Sequence, residues 1–390
     1  MSGRETGIEK HSAELRSRDF SRILLIKPSA LGDVVHTIPV LVKLRARYPR
    51  AQIDWFITPE NAGIVRCHPA LSNTVIFARR EYARFGWNWR VAADFLRLIA
   101  RLRSSHYDLV IDLQGQFRSV LFGLATGAPV RIGFDRRVRA DAKNADAAGI
   151  RNASRAGWKG AREGSWLAYT HHIPIPTLEA HAIERYLWLG GMLGFDDLPP
   201  DSTLYLPPET SARVDALCAQ NGIPPGKPLA VIVPGTIWET KRWPPRRFAE
   251  VARELLAKGF SVAVLGTARE RERCREIAGS APGARELSGQ TTPADLAGMI
   301  QRAAICVTND SASTHIAVAL GRPAVTIFGP TNPVHVGPYG HPESVVRVAL
   351  PCSPCNFKKL RDCPHSHACM EEISAAMVIE RIGAIMKPQA

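Results

Sequence analysis

Short apolar runs alternate with helical patterns along most of the chain. Arg22–Pro28 reads as a buried strand, and Asp33–Tyr48 then carries apolar residues at helical spacing. Gln52–Thr58 and Asn73–Ala78 are the next predicted strands. Arg90–Arg103 is an amphipathic helix with arginines on one side, and Asp108–Leu113 and Val130–Phe134 are further strands. Continuous Val/Ile/Leu strands separated by helices point to a parallel sheet covered on both faces. The pattern breaks after Phe134. Residues 135–162 are rich in Gly, Ala and Arg without periodicity, and we expect a long functional loop there. His181–Leu193 is a predicted helix, and Leu198–Pro208 has the proline content of a linker.

A second unit of the same kind starts at Leu229. Leu229–Gly235, Ser261–Gly266, Ile305–Asn309 and Ala324–Gly329 are strands; Pro245–Lys258, the charged run from Arg269, Pro293–Arg302 and Ser313–Leu320 are helices. The fold class expected is α/β, two doubly wound domains in tandem. Ligands of such sheets bind outside the carboxyl ends of the strands, and the cleft between two such domains is the default site.

Composition changes this picture little and charge changes it more. With 45% hydrophobic and 22% charged residues the chain is ordinary globular material. It has no apolar run of about 18 residues, which excludes a membrane-spanning helix. The first twenty residues are polar, with no secretory apolar region, and are expected to be a disordered tail; the protein is expected in the cytoplasm. Lys and Arg number 50 against 36 Asp and Glu, a net +14, and residues 79–162 alone hold 17 basic and 7 acidic residues. Such a field suits nucleic acid, an anionic membrane or a phosphorylated substrate, or is a solvated basic face. The aromatic-interleaved basic strands or recognition helix of a nucleic-acid binder are missing, so no nucleic-acid partner is expected.

Three motifs sit at strand ends. In Lys27-Pro28-Ser29-Ala30-Leu31-Gly32-Asp33, Gly32 permits close ligand approach, and Asp33 at the helix start is either a cap or a general base. In Pro234–Pro244, Thr236 and Lys241 either offer a phosphate site, without Walker A spacing, or belong to a Trp-anchored loop with a solvated lysine. In Thr308–His315, Ser311, Ser313 and Thr314 offer donors before a helix, and His315 is either a ligand contact or a packed core histidine. No GxGxxG fingerprint is present, which argues against a dinucleotide-dependent enzyme.

Taken in order, KPSALGDVVHTIPVL, IDLQGQFRS, PGT with KRWP, LSGQT, TNDSASTH and IFGPT resemble the heptosyltransferases of glycosyltransferase family 9, over roughly residues 22–385. The resemblance implies the GT-B architecture and an inverting transfer of L-glycero-D-manno-heptose from ADP-heptose to the lipopolysaccharide inner core, on Kdo or a first heptose. Another acceptor, such as an autotransporter protein, is the alternative. It implies an acceptor-binding domain over 21–200, a nucleotide-sugar-binding domain over 201–350 and a Cys-rich tail with a C-terminal helix over 351–390. The family's general base falls on Asp33 and its phosphate-contacting lysine on Lys241, the two catalytic residues, with Thr236 before the lysine. The ribose-binding acid falls on Glu270, the adenine pocket near Gln290 and Thr291, and the D-[ST]-G-x-x-H motif on Asp310 and His315, with Ala312 replacing glycine.

The implied acceptor is an anionic glycolipid. Besides Gly32, Arg118, Arg136, Arg137, Arg139, Lys159 and Arg162 are its candidate contacts, because guanidinium forks suit phosphate and carboxylate. Contact with the cytoplasmic face of the inner membrane is expected with it. No cofactor is implied for catalysis. Cys352, Cys355, Cys363 and Cys369 match either a structural zinc or iron site, as in autotransporter heptosyltransferases that bind iron, or four reduced thiols. We expect this tail not to touch the three motifs.

Overall fold

A computed structural model describes residues 14–82, 86–138, 158 and 160–387, without the side chains of 137 and 138. The described residues divide into two compact units, one up to residue 202 and one from residue 203 on.

The first unit holds a six-stranded sheet: β1 (Arg22–Ile26), β2 (Gln52–Ile57), β3 (Asn73–Ile76), β4 (Leu109–Asp112), β5 (Val130–Val138) and β6 (His171–Ile175). Its order is β3-β2-β1-β4-β5-β6. Every pairing is parallel, with Leu24 opposite Asp54 on one side and Val110 on the other. Parallel strands need crossovers, and helices Leu31–Arg47, Trp89–Ser104 and Phe117–Ala125 supply them. Leu24, Ile26, Phe56, Val110 and Phe122 fill the core on one face of this sheet. Residues 14–17 form a helical turn, and Leu15 and Phe20 are buried, so the segment expected as a disordered tail is packed from there on. Two further expectations change. The strand Val130–Phe134 runs on to Val138 with a shift of register, shortening the expected loop. The single helix expected over 181–193 is two short ones, Ala182–Leu187 and Gly190–Leu193.

The second unit holds β7 (Leu229–Val233), β8 (Ser261–Val264), β9 (Arg285–Glu286), β10 (Ala303–Asn309), β11 (Ala324–Ile327) and β12 (Val345–Val346). The order β12-β11-β10-β7-β8-β9 is again wholly parallel. Read from its first strand outward, each sheet has the doubly wound order in which chain direction across the sheet reverses beside the first strand. The reversal lies between β1 and β4 in one unit and between β7 and β10 in the other. Trp243, Phe248, Ile305 and Val307 pack in the second core, with the C-terminal helix Ala375–Met386 closing over it through Val378 and Ile382.

Candidate active site

The loops leaving β1 and β4 meet at the first reversal point. Helix Leu31–Arg47 begins at Ala30, and Asp33 caps it backward: its Oδ2 accepts the Ala30 N–H at 3.3 Å. The carboxylate still keeps 44% side-chain exposure, so capping the helix leaves the group open to solvent. Lys27 Nζ lies 3.8 Å from Asp33 Oδ2 and donates to the Leu113 carbonyl at 3.1 Å. Lys27 is buried, which acts to lower its pKa. Tyr186, Asp33 and Asp112 around it outweigh that and hold it above the ordinary lysine value. It also sits 5.1 Å over the Tyr186 ring. Burial pushes the Tyr186 phenol up as well, with Asp33 adding to it. Lys27 lies inside the first motif, but its partner Tyr186 comes from a helix far along the chain, and no sequence signal joins them.

Asp112 ends β4 fully buried. Burial pushes its carboxyl above the usual range, while hydrogen bonds from Ser119, the Gly115 and Gln114 amides and the Tyr169 hydroxyl oppose this. The amides lie at 3.1 and 2.8 Å and the hydroxyl at 2.9 Å. Asp112 thereby shapes the turn 113–118 that carries Arg118. A shallow recess open to solvent is lined here by Pro28, Ser29, Arg79, Gln116 and Arg118 over a floor of Phe56, Phe77 and Phe122. The Arg162 amide donates to the Gly115 carbonyl at 2.9 Å, and the Ala161 amide to the Asp135 carbonyl at 3.0 Å. Exposed Arg118 at the start of helix Phe117–Ala125, Arg136 near the end of β5 and Arg162 therefore stand on neighbouring segments; Arg136 lies 5.0 Å over the Trp166 ring. Gly32 is half-buried beside Asp33. The Arg137 side chain, Arg139 and Lys159 lie outside the described residues.

The second unit repeats the placement with different chemistry. β7 leads into Pro234–Lys241 and β10 into Asp310–Ser311, so the second and third motifs meet at the second reversal point. Lys241 Nζ pairs with Asp310 Oδ2 at 2.7 Å, both side chains largely buried. Thr331, after β11, donates to the same oxygen at 2.5 Å, and Thr236 donates to the Asp310 carbonyl at 3.3 Å. Asn309 ties the two loops, accepting from the Trp243 amide at 3.2 Å and donating to the Pro234 carbonyl at 2.8 Å. Lys241 also lies 4.5 Å over the Trp238 ring, and Lys358 lies 5.1 Å over the same ring. Two ammonium groups converging on one indole make a cationic surface suited to an anion.

Glu270 reaches this region from the turn after β8. Its carboxylate accepts from the Thr267 amide at 2.7 Å and hydroxyl at 2.9 Å. A Cβ at Gly235 would fall 2.1 Å from Glu270 Oε1, so glycine leaves the room that this carboxylate occupies. The Gly289 amide donates to the Gly266 carbonyl at 2.8 Å, which brings the turn with exposed Gln290 and half-buried Thr291 alongside. Gln290 Oε1 accepts from Asn221 at 3.1 Å.

The third motif divides. Ser311 precedes helix Ala312–Ala319 and its hydroxyl meets that of Thr308 at 3.0 Å. Ser313, Thr314 and His315 are buried. Thr314, expected as a ligand donor, spends its hydroxyl on the Thr326 hydroxyl at 3.1 Å and the Asn309 carbonyl at 3.4 Å, inside the core. The spacing of the motif did not reveal this, because only packing decides which hydroxyls of a helix start face inward.

The Cys-rich tail departs from expectation in its contacts, and its metal reading gains no support. Among the described residues no group of three or more His, Cys, Asp or Glu is arranged to hold a metal ion. Burial first, and then the neighbouring thiols Cys355, Cys363 and Cys352, push the Cys369 thiol up to about 12. The segment also does touch the second motif: the Glu239 amide donates to the Lys358 carbonyl at 3.0 Å, and the Leu360 amide to Glu239 Oε2 at 3.1 Å.

Two parallel six-stranded doubly wound sheets, each with a polar site where its strand order reverses, are the two-unit α/β organisation of the GT-B fold. The model of glycosyltransferase family 9 (heptosyltransferase) matches residues 95–149 and 145–365, and the chain belongs to that family. It is 32% identical over 336 residues to lipopolysaccharide heptosyltransferase 1 of Pseudomonas aeruginosa, covering 86% of each chain. Among solved structures, ADP-heptose lps heptosyltransferase II of E. coli matches with a TM-score of 0.68 and 23% identity, over 94% of this chain and 98% of that one. The E. coli heptosyltransferase WaaC with ADP-2-deoxy-2-fluoro heptose matches with the same score and identity, over 93% and 99%.

Proposed function

We propose that this protein transfers heptose from ADP-heptose to the lipopolysaccharide core, with inversion at the anomeric carbon. The observation that carries this reading, in a chain of this family, is the placement of Asp33 and Lys241. Each lies at the point where its own sheet reverses order. Asp33 accepts the proton of the acceptor hydroxyl as that oxygen attacks the anomeric carbon. The bond from that carbon to the phosphate oxygen breaks, and ADP leaves carrying the new negative charge. Lys241, already oriented by Asp310 and Trp238, neutralises that charge. Ser311 is the hydroxyl donor beside it, joined by Thr236 once its proton turns from the Asp310 carbonyl to the phosphate; Glu270 binds the ribose, and Gln290 and Thr291 border the base.

The acceptor's phosphates and carboxylates fall to Arg118, Arg136 and Arg162 around the first recess. Contact with an anionic leaflet belongs to the same reading. It is supported by exposed Trp87, Trp89, Leu96, Phe117, Leu121 and Leu124 on or beside two packed helices that also expose Arg97, Arg101 and Arg118. Aromatic and aliphatic side chains among arginines suit a headgroup boundary. Metal at the tail cysteines is not needed for this chemistry.

The test is a pair of variants assayed with ADP-heptose and a defined truncated lipopolysaccharide. Asp33→Ala abolishes transfer, by about a thousandfold or more, while ADP still binds. Lys241→Ala weakens ADP binding and transfer together. Unchanged transfer by folded Asp33→Ala protein overturns the assignment.

A further inference from the structure

Resting on the donor-phosphate reading of Lys241, we propose that the Cys-rich segment is a strap that positions this lysine, and that His367 is the positioning residue through which it acts. His367 Nε2 donates to the Thr240 carbonyl at 2.6 Å. That carbonyl belongs to the peptide joining Thr240 to Lys241, within the short turn Glu239–Lys241. The bond therefore fixes the plane from which the lysine side chain departs. Thr240 itself is buried, and its hydroxyl donates to the Phe357 carbonyl.

The strap is fastened at other points, so His367 is a rigid support. Its backbone has φ +61°, and its carbonyl accepts from the Met370 and Glu371 amides at 2.9 and 3.1 Å. Cys369 and Met370 are buried; a Cβ on Gly329 would fall within 3.0 Å of both side chains. Trp243 Nε1 donates to the Ile373 carbonyl at 2.9 Å. On the other flank the Asn356 amide donates to the Pro330 carbonyl at 2.8 Å, and Ser353 to the Gly329 carbonyl at 2.5 Å. Pro330 precedes Thr331, which holds Asp310. One segment thus braces both loops around the Lys241–Asp310 pair, and it delivers Lys358 to Trp238. A side chain with four rotatable bonds gains most from such bracing, because misplacing a charged group by about 1 Å costs up to about a hundredfold in rate.

The experiment measures ADP affinity, donor and acceptor KM, and kcat for His367→Ala, His367→Gln, Lys241→Ala and the double variant of His367→Ala with Lys241→Ala. His367→Ala is expected to weaken ADP binding and donor kcat/KM about tenfold and to leave acceptor KM unchanged. His367→Gln, whose amide reaches the same carbonyl, restores both to within about threefold. The double variant binds ADP no worse than Lys241→Ala alone, because His367 acts through the lysine. Additive losses in the double variant, or an acceptor KM that rises with the donor effect, overturn the proposal. Wild-type ADP affinity in Lys241→Ala overturns the phosphate-site reading and this proposal with it. Should His367→Ala not fold, His367→Asn, too short to reach the carbonyl, takes its place against His367→Gln.

Discussion

At the residue scale, several assigned groups do two jobs. Asp33 caps a helix and keeps an exposed oxygen; Glu270 caps a turn and packs on Gly235. Gly235→Ala pushes Glu270 off the Thr267 amide, since the carboxylate is the flexible partner. The loss expected is about that of the cap, ~1 kcal/mol, with weaker ADP binding. Urea unfolding and calorimetric ADP titration check this; Glu270→Ala combined with Gly235→Ala should cost no more stability than Glu270→Ala alone. Full additivity would mean that Glu270 stays in place and the reading of Gly235 is wrong. Of these residues, the motif residues were legible because they stand at strand ends in an order that few folds share. Lys27 was visible only as a letter in its motif, since its charge is held by Tyr186 from another element.

At the scale of elements, the long apolar strands and amphipathic helices were readable from periodicity, and the short or edge elements were not. β6 is an edge strand of sequence HHIPI, where two histidines and a proline erase the alternation. Helix Pro208–Gln220 starts in prolines that read as linker, although proline is well tolerated in a helix's first turn. It is anchored to helix Pro293–Arg302 by Arg213, which pairs with Asp295 at 2.7 Å. Asp295 also closes a capping box with Thr292, accepting its amide at 3.0 Å and its hydroxyl at 2.7 Å. Burial acts to raise the Asp295 carboxyl, but Thr292 and Arg213 outweigh it and hold the carboxyl below its ordinary value. The ionised form is thus favoured in the folded state. Its contribution is full above the unfolded value of about 3.9 and is lost below it, as pH falls through the lowered folded value. Asp295→Asn is expected to lose about 1–2 kcal/mol at pH 7, with the gap to wild type narrowing as pH falls below about 4. Chemical denaturation across that range checks this, and a pH-independent gap would contradict it.

At the scale of the whole molecule, charge and exposed apolar surface point the same way. The net +14 is concentrated in residues 79–162, and Trp87, Trp89 and Leu121 stand exposed in that same stretch. Among the described residues no helix is long and apolar enough to cross a membrane. Basic residues near an anionic leaflet contribute about 1 kcal/mol each, screened by salt. Cosedimentation with phosphatidylglycerol vesicles should therefore exceed that with phosphatidylcholine vesicles. It should fall with salt and be lost in the triple variant Trp87→Ser, Trp89→Ser, Leu121→Ser. Equal binding to both vesicles, or an unaffected variant, would return the basic stretch to a solvated face.

The sequence by itself determined the two α/β units, the family and the strand-end motifs, because periodicity and strand-end chemistry are local properties. Tertiary structure alone decided what those motifs touch. It placed Tyr186 and Asp112 around Lys27, turned Thr314 into the core, and laid the Cys-rich segment against the Lys241 loop. Contacts between elements distant along the chain are set by packing, and hydrophobic periodicity carries no record of which loops a parallel sheet brings side by side.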